Sequence, residues 1–312
     1  MTNESYLNMR IVTLLPSATE ICALLGLKEH IVGISHECDY PHGLEHLPKL
    51  TSPKIDPSKS SEIIHQDVSR LVEQSLSVYQ VDEEKLQELQ PDLIITQDVC
   101  DVCAVSFQEV EAAVHKTLGN QAKIVSLSPL SFQDVLEDIE RVASMTNRME
   151  VFNEESEKLQ NRLLDLTKKV SKFVPKRTVM VEWMHPPMIA GHWTPHLVKI
   201  AGGEPLLGKA NSPTGPISLE KVIQCQADTV IVAPCGFKIE QSLHEIDRFL
   251  QQESMSRIPA VQNGEVYIID GNAYFNRPGP RLVESAEILA CALHPEIHKE
   301  FNYDNSHYIR YH

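Results

Sequence analysis

Twice along this 312-residue chain, from about residue 10 to 128 and again from about 177 to 294, short apolar runs alternate with loops and helical patterns. Alternation of that kind builds a parallel sheet covered by helices, so each block can form one sheet-centred lobe. In the first block Ile11–Leu15, Ile31–Ile34, Leu93–Thr96 and Lys123–Ser126 read as strands. Ser17 and Glu20, directly after Pro16, have the spacing of a capping box that would start a helix, and Gly26 would end it. The Ser17 hydroxyl has a second possible use, as a donor to a ligand at the strand end. In the second block Thr178–Glu182, Asp228–Val232 and Glu265–Ile269 are the strands. Thr194-Pro195 opens a helix, Gly202-Gly203 closes it, and a final helix runs from about Pro280 to Leu293.

Between the blocks, from Ser131 to about Lys172, glycine and proline are scarce. Val135, Ile139 and Val142 mark a short helix, and Leu159, Leu163, Leu166 and Val170, spaced by four, three and four, mark a longer amphipathic one. The predicted organisation is an α/β lobe over 1–130, linking helices over 131–176, a second α/β lobe over 177–295 and a tail over 296–312. The tail is polar and aromatic without periodicity and is expected to be loose or to form a surface arm. The expected fold class is α/β, with two Rossmann-like lobes bridged by a long helix and a ligand cleft between them.

Charge narrows the partners. With 28 basic against 43 acidic residues the net charge is −15, and no Lys/Arg-rich run could follow a phosphate backbone, which argues against nucleic acid. No apolar stretch is long enough to insert into a membrane. The first ten residues lack the pattern of a secretory signal and predict a cytoplasmic protein, with the periplasm or cell surface as the alternative if the start shown is a processed one.

Four of the seven cysteines, Cys38, Cys100, Cys103 and Cys235, fall in loops just after strands, whereas Cys22, Cys225 and Cys291 lie in helical patterns and read as small buried hydrophobes. Cys100-x-x-Cys103 puts two sulfurs within reach of one ion. With Cys38 as the third thiolate and His36, His192 or Cys235 completing the shell, it would suit zinc or iron. The same pair could be a redox dithiol, or thiols without chemistry. Enzymes have a weaker case: Glu37, Asp39, Asp98, Asp101 and Glu182 supply carboxylates, but nothing in the sequence fixes a catalytic pair, and no phosphate-binding glycine loop or nucleophile elbow occurs at the strand ends. A metal- or thiol-dependent enzyme built on Cys38, Cys100 and Cys103 remains the alternative to a binding protein.

Seven short segments, in order and at consistent spacing, carry a resemblance. They are Arg10–Glu20, Asp39-Tyr40-Pro41, Pro91–Ile95, Pro186-Pro187, Ala201-Gly202-Gly203, Ser218–Val222 and Arg277–Arg281. Over about 10 to 294 the chain resembles the helix-linked, periplasmic-type substrate-binding proteins, in particular the cobalamin-binding branch that serves ABC transporters. The resemblance implies a corrinoid or related metal-containing cofactor held by apolar walls. Tyr40 is the clearest wall residue; Trp183, Trp193, Tyr274 and Phe275 are further candidates, with Ser17, His192 and Arg277 beside them. It also implies an ABC permease as partner, with Glu84 and Glu220 as the acidic docking residues. The cysteine- and histidine-rich loops depart from that branch.

Overall fold

The computed structural model describes residue 6 and residues 8–74, 78–98, 107–252 and 255–311. These residues divide into two compact units: 1–59, 63–129 and 133–156 form the first, and 60–62, 130–132 and 157–312 the second.

The first unit opens with strand β1 (Ile11–Thr13), helix α1 (Pro16–Leu24) and β2 (Ile31–Ile34). There follow β3 (Thr51–Pro53), α2 (Ser61–Glu73), β4 (Tyr79–Val81), α3 (Glu83–Leu89), β5 (Leu93–Gln97), α4 (Phe107–Leu118), β6 (Lys123–Leu127) and α5 (Phe132–Thr146). Four strands form one sheet in the order β2-β1-β5-β6, and every pairing in it is parallel. β3 and β4 pair separately and antiparallel. Val12, Leu14, Leu50, Leu86, Ile94, Val110, Val114 and Leu118 fill the core. The apolar face predicted for α5 is buried through Val135, Ile139 and Val142.

Helix α6 (Met149–Val170) carries the chain from the first unit into the second. Its Leu159, Leu163, Leu166 and Val170 are all buried, as their spacing requires of one face of a 3.6-residue period. Within the second unit the Arg162 guanidinium donates to both carboxylate oxygens of Glu287, at 3.1 and 2.7 Å, and Tyr303 Oη donates to the same carboxylate at 2.6 Å. That fork fixes α6 against the last helix with a directional, charge-assisted contact.

The second unit continues with β7 (Lys176–Trp183), β8 (Met188–Ile189), α7 (Thr194–Ile200), β9 (Gly203–Pro205), β10 (Gly215–Pro216) and α8 (Leu219–Gln224). It ends with β11 (Thr229–Val232), α9 (Ile239–Leu250), α10 (Pro259–Gln262), β12 (Val266–Ile269), α11 (Leu282–Leu293) and β13 (Tyr308–Tyr311). β9, β7, β11 and β12 are parallel neighbours in that order, and antiparallel β8, β10 and β13 extend the edges. Counted along the chain, the parallel strands of both sheets therefore lie in the order second, first, third, fourth. The repeated alternation in the sequence is a repeat of topology.

Two local expectations are corrected. The tail is not loose: Tyr308–Tyr311 pairs with β12, and Ile309 and Tyr311 pack on the core of the unit. A run of four residues, three of them β-favouring, is too short to show a period, and its stability comes from a partner strand some 40 residues away in sequence. Nor does Ser17 cap α1. The helix starts at Pro16, whose fixed φ suits the first helical position, so Leu15 becomes the N-cap and has no side-chain hydrogen bond to offer.

Candidate functional site

In each sheet consecutive connections place the next two parallel strands on opposite sides of the first one, the kind of place beside which ligands of open α/β sheets bind. In the first unit this is β1, flanked by β2 and β5; in the second it is β7, flanked by β9 and β11. The described residues predicted for the ligand site fall in the strand-end loops of one sheet or the other, and each edge is described in its own unit.

In the first unit the hydroxyls of Thr13 and Thr19 lie 2.7 Å apart, and Thr19 Oγ1 lies 3.0 Å from Cys38 Sγ. Cys38 is thereby buried in a polar chain from the end of β1 to the loop after β2. Beside it Cys22 is fully buried, and burial together with Cys38 pushes its thiol up to about 12. Such a group is a packing residue, as its helical position suggested. His36 is held through Thr51: its backbone N–H donates to Thr51 Oγ1 at 3.0 Å, its Nδ1 lies 2.7 Å from the same atom, and Thr51 donates on to Ser35 Oγ at 3.0 Å. Tyr79 donates to Glu37 at 2.9 Å and its ring lies 5.2 Å from that of His36. Tyr40 stands exposed at the tip of this loop, before a cis bond to Pro41. Ser17 is buried, at 1% exposure, and among the described residues its Oγ has no hydrogen-bond partner.

Burial, with a smaller contribution from Lys49, brings the pKa of His36 down to about 4. As pH falls from about 6.5 the unfolded chain takes up this proton first, so stability declines between about pH 6.5 and 4 and is fully retained above that window. His36→Gln is expected to flatten the decline by about 2 kcal/mol or less in urea melts across that range. His185, His192 and His294, also held low by burial, leave a remainder. An unchanged slope would show that His36 does not titrate there.

In the second unit Trp183 ends β7, half-buried, with its ring edge-on to Phe237 at 5.2 Å and its Nε1–H donated to the His185 carbonyl at 3.2 Å. Trp193 is 7% exposed, and its Nε1–H donates to the Phe275 carbonyl at 2.7 Å. Tyr274 and Phe275 are buried too. These three are the frame of the loop rather than its surface. Phe275 has φ +66°, a left-handed conformation that its backbone N–H, donated to Ser285 Oγ at 3.1 Å, helps to hold. Asp270 Oδ1 accepts from the backbone of Asn272 and Ala273, and Asn276 Nδ2 donates to the carbonyls of Gly271 and Ala233. Arg277 is buried and donates to Asn272 Oδ1 at 3.1 Å. Of these supports, Asp270-Gly271-Asn272 is a turn signal legible after an apolar strand. Asn276 and Ser285 give no such signal, since their partners are brought to them only by the fold.

The predicted metal set does not assemble among the described residues: no three His, Cys, Asp or Glu side chains there are placed to hold one ion. Cys38 is committed to Thr19, His36 to Thr51, and Cys235 sits half-buried after β11 in the second unit. Cys100 and Cys103 lie outside the described residues. The docking candidates occupy equivalent places in the repeat. Glu84 and Glu220 are each the second residue of the helix that leads into the third parallel strand, α3 before β5 and α8 before β11, and both are exposed.

A family model described as periplasmic binding protein matches residues 11–273. A vitamin B12-binding protein of Vibrio vulnificus (strain CMCP6) is 23% identical over 281 residues, 89% of this chain and 87% of that protein. Among solved structures, the periplasmic vitamin B12 binding protein BtuF of Vibrio cholerae superposes with a TM-score of 0.64 at 22% identity, covering 91% of this chain and 96% of that one. The periplasmic heme-binding protein RhuT from Roseiflexus sp. RS-1 gives 0.67 at 18% identity, covering 92% and 98%. These likenesses overturn the expected cytoplasmic location and point to the periplasm or the cell surface. The expectation rested on the first ten residues alone, and where a sequence begins carries no information about compartment. No described helix is long and apolar enough to cross a membrane.

Proposed function

We propose, from the premise that this chain belongs to the periplasmic binding protein family, that its ligand is a metal-bearing tetrapyrrole, with cobalamin or a related corrinoid preferred over heme. The observation that carries this reading is the placing of aromatic faces. Tyr40 stands exposed in the loop after the second strand of one sheet, and Trp183 half-exposed at the end of the first strand of the other, at the edges where ligands of open α/β sheets bind. A flat macrocycle gains most of its affinity from such apolar faces, and a few polar groups orient it. Capture is non-covalent, and the loaded protein serves an ABC permease through Glu84 and Glu220.

The test is a visible-absorption and calorimetric titration of the full chain with aquocobalamin and with hemin. Saturable binding of cobalamin with a Kd of about 1 μM or tighter, with hemin weaker, is the expected result. Preference for hemin would move the ligand to the heme class, and no response to either would sink the tetrapyrrole reading.

A further inference from the structure

The net charge of −15 is unevenly spread. From Leu166 to Val181 there is no Asp or Glu, and Lys168, Lys169, Lys172, Lys176 and Arg177 stand together between 168 and 177. In the second unit these residues span the end of α6, the connecting turn and the start of β7. The four lysines are exposed, whereas Arg177 is spent on the carbonyls of Cys225 and Gln226, at 2.7 and 2.9 Å. Leu164 and Lys168, four positions apart, share a face of α6, and Leu164 is 57% exposed. In the turn Val174 is 83% exposed, more than any other large apolar side chain among the described residues. Its neighbours hold it there. Ser171 N–H donates to the Thr167 carbonyl at 3.1 Å and Phe173 N–H to the Val170 carbonyl at 3.0 Å, while the Phe173 ring stacks on His294 at 4.7 Å. Phe173 therefore packs against the unit, Pro175 fixes its own φ, and the valine between them is held out in water.

The helix dipole accounts for cations in the last turn of α6, Lys168 and Lys169. It accounts for neither Lys172 and Lys176, which lie beyond the helix, nor the exposed valine between them. We propose that this patch is a docking surface for an anionic phospholipid membrane, with the lysines on lipid phosphates and Val174 and Leu164 in the interfacial layer. Nucleic acid requires cations along a track, which a cluster of four does not supply, whereas a fluid lipid surface brings its phosphates to the cluster. Asp165 and Glu300 lie 3.2 and 3.0 Å from Lys168 and Lys169, but exposed pairs of this kind are worth little and are readily exchanged. Lys172 Nζ lies 5.1 Å over the Phe173 ring, and among the described residues no carboxylate pairs with Lys172 or Lys176. The patch stands at the amino end of β7 and Trp183 at the carboxyl end, about 23 Å away at about 3.3 Å per residue. A membrane against the patch thus leaves the ligand edge of this sheet clear, and docking does not depend on which ligand the protein carries.

The experiment sediments the full chain with phosphatidylcholine vesicles, with and without about one third phosphatidylglycerol, at about 0.1 M salt. The wild type is expected to pellet with the anionic vesicles alone and to be released at about 1 M salt, where the screening length falls to about 3 Å. Lys172→Glu with Lys176→Glu should weaken binding about 25-fold or more, at about fivefold per cation, and Val174→Asp should weaken it several-fold. Lys123→Glu with Lys209→Glu, at exposed positions outside the patch, changes the net charge equally and should cost about twofold or less. Circular dichroism checks that each variant is folded. Equal sedimentation with neutral vesicles, no sedimentation with either kind, or equal losses in the two double variants would each overturn the membrane surface, and none of these bears on the cobalamin and hemin titrations.

Discussion

Reversing charge at both Glu84 and Glu220, each to lysine, is expected to reduce permease-dependent uptake to background while ligand affinity in solution stays within about twofold of wild type. Each carboxylate stands exposed in the first turn of a short helix, Glu84 in α3 and Glu220 in α8, at equivalent points of the two sheets. Neither belongs to the strand-end loops that carry the aromatic candidates. Rim charges of this kind steer encounter and fix register, and placing like charge against like costs several kcal/mol, so loss of each should slow uptake about 10-fold or more. Alanine at the same positions should give a smaller loss that grows with ionic strength, because exposed charges are screened within about 10 Å at 0.1 M salt. Stability should move little, since among the described residues Glu220 has one contact to lose, the hydrogen bond it accepts from Gln224 one turn on, at 2.9 Å. Uptake in cells expressing the variants, beside isothermal titration of the purified proteins, reads both quantities. Normal uptake by the double lysine variant would remove these residues from the docking surface.

Trp193→Ala is the substitution with the largest expected effect on the loop before α7. The indole is buried at the start of α7, supports the His192 ring and holds the Phe275 carbonyl by a 2.7 Å hydrogen bond. Removing a buried Trp side chain costs about 3–5 kcal/mol in lost burial and residual cavity. Here the loss also leaves the Phe275 carbonyl unanswered and releases a residue whose φ of +66° depends on its neighbours. A fall in melting temperature of roughly 10 °C is expected, together with about 10-fold or greater loss of ligand affinity. Trp193→Phe keeps most of the ring and loses only the hydrogen bond, so it should cost about 1 kcal/mol and a few-fold in affinity. If the two variants behave alike in thermal melts and titrations, the ring is not the post that holds this loop.

The half-buried Arg162–Glu287 fork has a different character. Its guanidinium is 42% exposed, so the pair is partly answered by water, and its use is to set the angle between α6 and α11 more than to add stability.

The residue pattern by itself determined the two sheets, the amphipathic faces of α5 and α6 and the loops in which site residues fall, because periodicity and turn chemistry are properties of neighbours in sequence. Leu159, Leu163, Leu166 and Val170 announce their face before any fold is known, and all four are buried. Only the tertiary structure decided what each loop residue does. His36 is bound to Thr51, 15 positions on, Trp193 to Phe275, 82 positions on, and Cys38 to Thr19, so that residues of one type divide into committed and uncommitted groups. Ser17 lost its capping role to the backbone geometry of Pro16, and the tail became a strand because β12 offered it an edge. Hydrogen bonds reach about 3 Å in space whatever the distance along the chain, so a side chain's partner, and with it its chemistry, exists only once the fold has brought the two together.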